Sequence, residues 1–275
     1  MADSRKTILI IGGAGGIGKA AAVSCMQKGF QVLIVDRDPQ KLDLCKSELR
    51  DCGVLLLDIN DRSSVRKALA EAKASYGALD AVVIAAAVHS TYPVEYLPDE
   101  VIHQVLETNL VSHIKLVRDC LPLLKDGGKV LGISSIAAGV GIPFSSLYSA
   151  SKAGLEMFYE SLQNEISYRG IRCVVIHPGN VNTGFNETGN DYKPQGNAFV
   201  DEAYRKIVAK IDSRYGIAPQ KVADVIVRAL ENPNPRFCYV VGMNALKAVW
   251  AKRLLGRDMA LRVMAKFFGI EPEKK

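Results

Sequence analysis

Thr7-Ile-Leu-Ile-Ile11-Gly12-Gly-Ala-Gly-Gly-Ile17-Gly18-Lys-Ala-Ala-Ala22 is the stretch whose reading decides the fold. Thr7–Ile11 is an unbroken apolar or β-branched run, the pattern of a strand covered on both faces. Five glycines among the seven residues 12–18 then lead into an alanine-rich helix. Glycine adopts turn dihedrals that other residues avoid, and it lets main-chain N–H groups approach a ligand closely. A helix N-terminus adds free donors and the positive end of a dipole. Strand, glycine loop and helix in this order form the cradle for a dinucleotide pyrophosphate. The loop fits several spacings at once. Gly13, Gly15 and Gly18 satisfy G-x-G-x-x-G; Gly12, Gly15 and Gly18 satisfy G-x-x-G-x-x-G; Gly12, Gly16 and Gly18 satisfy G-x-x-x-G-x-G. It points to a dinucleotide without choosing among the proteins that bind one.

Outward from this loop, apolar runs alternate with helix-length stretches. Strands are expected at Thr7–Ile11, Gln31–Val35, Val54–Leu57, Ala81–Ala85, Lys129–Ile133, Arg172–Ile176 and Phe237–Val241. Helices are expected at Gly16–Lys28, Pro39–Arg50, Arg62–Tyr76, Asp99–Leu124, Ser146–Arg169, Asp201–Arg214 and Pro219–Glu231. This alternation implies an α/β fold, a doubly wound, mainly parallel seven-stranded sheet with helices on both faces. The segment Gly184–Val200 shows no clear element and reads as a lid loop or a disordered one.

The 275 residues, 48% hydrophobic and 23% charged, suffice for one large domain. Six cysteines without C-x-x-C spacing read as reduced, buried thiols. The four histidines show no ligand spacing, so no metal is expected, although His89 falls near the cofactor cleft by position. No signal peptide precedes the first strand and no apolar run is long enough to span a bilayer, so a cytoplasmic protein is expected. Nucleic-acid motifs are absent.

Asp36 closes the second predicted strand, 18 residues beyond Gly18. A carboxylate there can hydrogen-bond the ribose hydroxyls and repel a 2′-phosphate. Arg37 favours the opposite choice, but Gly15 leaves no basic side chain in the loop. NAD(H) is therefore expected over NADP(H). Tyr148 and Lys152, at i and i+4, share one helix face. An ammonium beside a phenol lowers its pKa and fits it for proton transfer at neutral pH. Ser135 lies 13 residues upstream of Tyr148.

In this set of motifs the chain resembles the compact short-chain dehydrogenases/reductases over residues from about 6 to 242. Gly12-x-x-x-Gly16-Ile17-Gly18 is similar to that family's cofactor loop. The resemblance assigns an adenine contact to Asp58, with Ile59 beside it, and a relay-water role to Asn109. It makes Asn109, Ser135, Tyr148 and Lys152 catalytic. It brings Pro178, Gly179, Val181 and Thr183 to the nicotinamide. The family's N-N-A-G after the fourth strand is replaced here by Ile84-Ala85-Ala86-Ala87; small residues still allow close approach to adenosine, but two sheet-stabilising asparagines are lost. The resemblance implies a Rossmann-type fold and a homodimer or homotetramer.

Residues 243–275 form a C-terminal extension to the 1–242 domain. Met243–Ile270 carries a net charge of +5. Leu246, Trp250, Leu254, Leu261, Met264 and Phe268 fall on roughly one helical face, and Gly256 is expected to split the stretch into two helices. This tail is expected to cap the substrate cleft, form a subunit interface or attach to anionic membrane. The expected function is oxidation of a hydrophobic secondary alcohol, or reduction of its ketone, with NAD(H). A silent dinucleotide-bound sensor and a sugar-nucleotide epimerase remain as alternatives.

Overall fold

The computed structural model describes residues 5–185 and 190–270; within α9 and at Asn190 and Ser213 some side chains also lie outside the described set. Among the described residues nine strands form: β1 Thr7–Ile11, β2 Gln31–Asp36, β3 Gly53–Leu56, β4 Leu79–Ile84, β5 Ser90–Thr91, β6 Leu124–Ile133, β7 Arg172–Pro178, β8 Asn190–Asp191 and β9 Cys238–Val241. The helices are α1 Gly16–Gln27, α2 Pro39–Glu48, α3 Arg62–Tyr76, α4 Asp99–Leu106, α5 Ser112–Cys120, α6 Ser146–Glu165, α7 Ala198–Ile211, α8 Pro219–Glu231 and α9 Met243–Phe268. Seven strands make one sheet in the order β3-β2-β1-β4-β6-β7-β9. Every pairing in it is parallel. The order reverses beside β1, so the strand ends open a crevice at the glycine loop, where ligands of doubly wound sheets bind.

The sheet is held because its strands alternate sides. Leu9 and Ile11 of β1 and Leu33 and Val35 of β2 pack with Leu116, Leu155 and Tyr159 on one face. Ile8, Ile10, Val32 and Ile34 pack with Ala21, Ala22, Val222 and Ile226 on the other. Each such side chain, removed from water, stabilises the fold by about 1.5–3 kcal/mol. All six cysteines are free thiols.

Among the boundaries that differ from the sequence reading, those of three helical stretches are the clearest. Asp99–Leu124 is not one helix: a π turn over Glu107–Val111 separates α4 from α5, and Pro122 ends the helical path in a 3₁₀ turn at Leu121–Leu123. Leu124 already belongs to β6. The helix expected to start at Asp201 starts at Ala198, because Asn197 accepts the Val200 N–H and caps it. The expected long helix Ser146–Arg169 stops at Glu165, followed by a 3₁₀ turn.

Lys129 of β6 is 7% exposed, and its ammonium donates to the carbonyls of Leu230 and Asn232 at the C-terminal end of α8. Burial lowers its pKa to about 8. Lys129→Met leaves both carbonyls without this donor and is expected to cost about 2–3 kcal/mol in denaturant unfolding.

Candidate active site

The glycines of the loop have separate physical reasons. Gly12 has φ +74°, and a Cβ on it would stand 2.6 Å from the Ala86 amide nitrogen. A Cβ on Gly18 would overlap the Gly12 carbonyl oxygen, so β1, α1 and the loop after β4 meet at van der Waals limits. Gly15 differs: its φ is −146° and nothing lies within 4 Å of a Cβ there. It caps α1 without a side-chain acceptor, and no acidic residue occupies the first turn. The N–H groups of α1 are thus left for a ligand in the cleft, which is the fit a pyrophosphate requires.

Asp36 ends β2 with both carboxylate oxygens held by main chain. Oδ2 accepts the Ala14 N–H at 3.1 Å and Oδ1 accepts the Asp38 N–H at 3.2 Å. Asp38 caps α2 through Gln40 and Lys41, as the turn before Pro39 suggests. Arg37 and Lys41 line the same cleft as Asp36. Asp58 accepts the Asn60 N–H at 2.9 Å, which fixes the turn after β3.

Ser135 follows β6, and its Oγ accepts the Ala137 N–H at 3.1 Å. It also hydrogen-bonds the Tyr148 hydroxyl. Tyr148 and Lys152 stand in the first turns of α6, with the Lys152 Nζ 5.7 Å from the Tyr148 ring centroid. Lys152 is 1% exposed and donates to the Ile133 carbonyl at 2.9 Å. Burial pushes the Tyr148 phenol up to about 12, against a smaller downward pull from Ser135. Burial brings Lys152 down to about 8. The expectation that the ammonium lowers the phenol is therefore corrected for the free protein: burial sets the direction of the shift, and the opposing pull comes from Ser135. At neutral pH the pair is a phenol beside an ammonium, the proton-donating form.

Asn109 is fully buried in the π turn. Its Oδ1 accepts the Val88 N–H at 2.8 Å, and its Nδ2 donates to the Val88 carbonyl at 2.9 Å and to Ser151 Oγ at 3.2 Å. Its side chain pins the loop after β4 to α6.

One cavity of about 800 Å³ joins these parts. Gly12, Gly15, Gly16, Ile17, Gly18, Asp36, Arg37, Asp58, Ile59, Ala85 and Ala86 line one end. Ser135, Tyr148, Lys152, Pro178, Gly179, Val181 and Thr183 line it further along. Asn109 is the one expected site residue behind the wall. Tail side chains Val263, Met264, Phe267 and Phe268 close the far end.

Residues 6–193 match the sequence profile of the short chain dehydrogenases. The chain belongs to the short-chain dehydrogenase family. It is 29% identical over 241 residues to the 3-ketodihydrosphingosine reductase of Bacteroides thetaiotaomicron, covering 86% of this chain and 87% of that one. It is 28% identical over 273 residues to the NADPH-dependent 3-dehydrocapnine reductase of Ornithobacterium rhinotracheale, covering 94% and 95%. A solved short-chain dehydrogenase from Streptomyces avermitilis superposes with a TM-score of 0.81 at 25% identity, covering 97% of both chains.

Phe185 in this short-chain dehydrogenase's cleft has no local signal in the sequence, whereas His89 lies near the cleft as its position suggests. Phe185 packs 6.3 Å from the Tyr148 ring, and His89 packs 4.9 Å from it, centroid to centroid. The segment read as lid or disorder is anchored over its described part. β8 pairs with β5. The Tyr192 hydroxyl donates to Asp201 at 2.8 Å, and its ring meets those of Tyr96 and Tyr204 at 5.2 Å. Residues 186–189, in the same expected lid, lie outside the described residues.

The tail is corrected in one respect. Gly256, at φ 73° and ψ 170°, breaks α9 as expected. The break rotates the two halves against each other, so the single apolar face does not form. Phe268 is buried, but Leu254 and Leu261 are exposed. The side chains of Leu246 and Trp250 lie outside the described residues.

Proposed function

We propose that the protein is an NAD(H)-dependent oxidoreductase that interconverts a hydrophobic secondary alcohol and its ketone, with Tyr148 as general acid and base. The observation that carries this reading is the Ser135–Tyr148–Lys152 cluster inside a cavity whose other wall is apolar tail. A nicotinamide dinucleotide bound along the glycine loop supplies or accepts the hydride. Ser135 hydrogen-bonds the reacting oxygen. In reduction the carbonyl carbon gains the hydride, the C=O π bond breaks and its oxygen takes the Tyr148 proton; oxidation runs the same exchange backwards. Lys152 holds the nicotinamide ribose and keeps a positive charge near the phenol. Asn109 positions the loop of Ala85 and Ala86, which faces the adenosine half with Asp58 and Ile59. Pro178, Gly179, Val181 and Thr183 orient the carboxamide.

The fixed Asp36 carboxylate supports NAD(H), since its charge repels a 2′-phosphate. The 3-dehydrocapnine reductase is named as NADPH-dependent, and Arg37 and Lys41 stand close enough to favour that choice instead. Asp36→Ala separates the two. It is expected to weaken NAD+ binding in calorimetry and to tighten NADP+; unchanged affinities for both would remove Asp36 from the cofactor choice.

Two relatives named as reductases of 3-ketodihydrosphingosine and 3-dehydrocapnine, together with the apolar wall, support a ketone carrying a long apolar chain. With methyl ketones of increasing length, kcat/KM is expected to rise until the chain fills the tail-lined end. A panel with no length dependence would overturn the hydrophobic assignment. The charge on Lys152 sets the sign of the pH dependence. Lys152 is charged below about 8, so reduction is expected at full rate below that pH and to decline as pH rises through it.

Peripheral membrane contact fits the tail's outer side. Leu254, Met259 and Leu261 are exposed there and do not line the cavity, and exposed Arg257, Arg262 and Lys266 lie among them in the chain. No described helix is long and apolar enough to cross a membrane. The full chain is expected to co-sediment with phosphatidylglycerol-containing vesicles and not with phosphatidylcholine alone. Serine at those three apolar positions is expected to abolish this. Residues 1–242 are read as one domain with 243–275 as its extension, and α4, α5 and α6 as the helices of a homodimer or homotetramer.

A further inference from the structure

His89 sits between the loop pinned by Asn109 and the short strand β5, so its backbone is held from both sides. Its side chain is 8% exposed and lines the cleft. One ring edge stands against Tyr148, with centroids 4.9 Å apart and planes at 65°. On another side is Phe185, at 5.9 Å. Its Nδ1 is enclosed and has no hydrogen-bond partner among the described residues. A buried polar atom left unpaired is costly, and in a native fold it calls for a partner supplied from elsewhere. Packing alone does not account for a histidine here, because phenylalanine would fill the same space without the orphaned nitrogen.

We propose that His89 is a substrate-reading residue, hydrogen-bonding a second polar group of the substrate, a hydroxyl or an amine close to the carbon that exchanges hydride. The inference rests on the ketone–alcohol reading above and adds the substrate's second functional group to it. The geometry sets the spacing. The reacting oxygen lies within hydrogen-bond reach of Tyr148, and the His89 ring is the next ring along the wall. With the two rings 4.9 Å apart, a group held by His89 falls close to the reacting carbon. A half-turn of the ring exchanges Nδ1 with Cδ2, so either nitrogen can be presented without moving the backbone. Burial holds the imidazole's pKa down at about 4. At neutral pH it is uncharged, able to donate through one nitrogen and accept through the other. It thus suits a hydroxyl or amine, and it adds no positive charge that would select an acidic substrate. A site built to hydrogen-bond a substrate group discriminates against the analogue lacking it.

The test compares two probes of equal chain length, a long-chain methyl ketone and its 1-hydroxy derivative, as a ratio of kcat/KM within each protein. The ratio cancels general losses of folding or of catalytic geometry. Wild type is expected to favour the hydroxyketone by tenfold or more. His89→Phe is expected to bring the ratio close to one, and His89→Asn, which keeps a donor and an acceptor, to preserve part of the preference. A wild-type ratio near one overturns the proposal, as does a preference that survives in His89→Phe; in either case the ketone reductase reading stands. Turnover of neither ketone by wild type overturns both together.

Discussion

Tyr148→Phe is expected to reduce turnover by about 10³-fold while leaving dinucleotide affinity nearly unchanged. The substitution removes one oxygen from a ring held in place by its neighbours. His89 and Phe185 pack on that ring, and Lys152 is anchored independently by the Ile133 carbonyl. The glycine loop and Asp36 do not touch it through any hydrogen bond described above. The loss therefore falls on proton transfer and not on assembly of the site. Neither neighbour replaces the phenol: the Ser135 hydroxyl is a weaker acid, and the His89 imidazole, held uncharged by burial, has no acidic proton to give at neutral pH. Rates and dinucleotide titrations on the same preparation check both halves. Near-normal turnover in Tyr148→Phe would remove the tyrosine from the chemistry.

The second large effect is expected at the glycine loop, and it divides by position. Gly18→Ala forces a methyl onto the Gly12 carbonyl oxygen, and Gly12 is itself backed by the Ala86 main chain. Neither backbone has room to yield, so the variant is expected to lose about 3 kcal/mol of stability or fail to fold. Gly15→Ala meets open space at a φ that alanine tolerates. It is expected to keep its stability, or to gain up to about 1 kcal/mol from a less flexible unfolded chain. Its methyl projects toward the donors at the start of α1, so dinucleotide affinity is expected to fall by tenfold or more, about 1.4 kcal/mol. Thermal unfolding and calorimetry on the pair distinguish a glycine needed for packing from one needed for the ligand. Equal stability losses in both would contradict the division.

Much of this was legible in the chain. Buried parallel strands are nearly continuous apolar runs, so β1, β2, β4, β6 and β7 stand out, and the loop between β1 and α1 names its ligand class. The residues expected at the cofactor and at the proton all line one cavity except Asn109. What the sequence did not reveal depends on long-range packing. The π turn at Glu107–Val111 carries no local marker, because it is set by Asn109 reaching Val88 and Ser151. The ordering of 190–201 comes from Tyr192 meeting Tyr96, Tyr204 and Asp201, contacts between segments up to about a hundred residues apart. Helical spacing rightly put Tyr148 and Lys152 together, yet the sign of the Tyr148 shift depends on burial, which spacing does not encode. A single glycine, Gly256, likewise turned one expected tail face into two.

The most direct test of the account follows reduced-nicotinamide absorbance while wild-type protein meets NADH and a long-chain ketone, with the alcohol formed quantified in parallel. The account predicts ketone-dependent oxidation of NADH, one alcohol formed per NADH consumed, at a rate above that with NADPH. Tight NADH binding with no consumption across a panel of aliphatic ketones, and none of NAD+ with the matching alcohols, would contradict it and mark the protein as a dinucleotide-bound sensor.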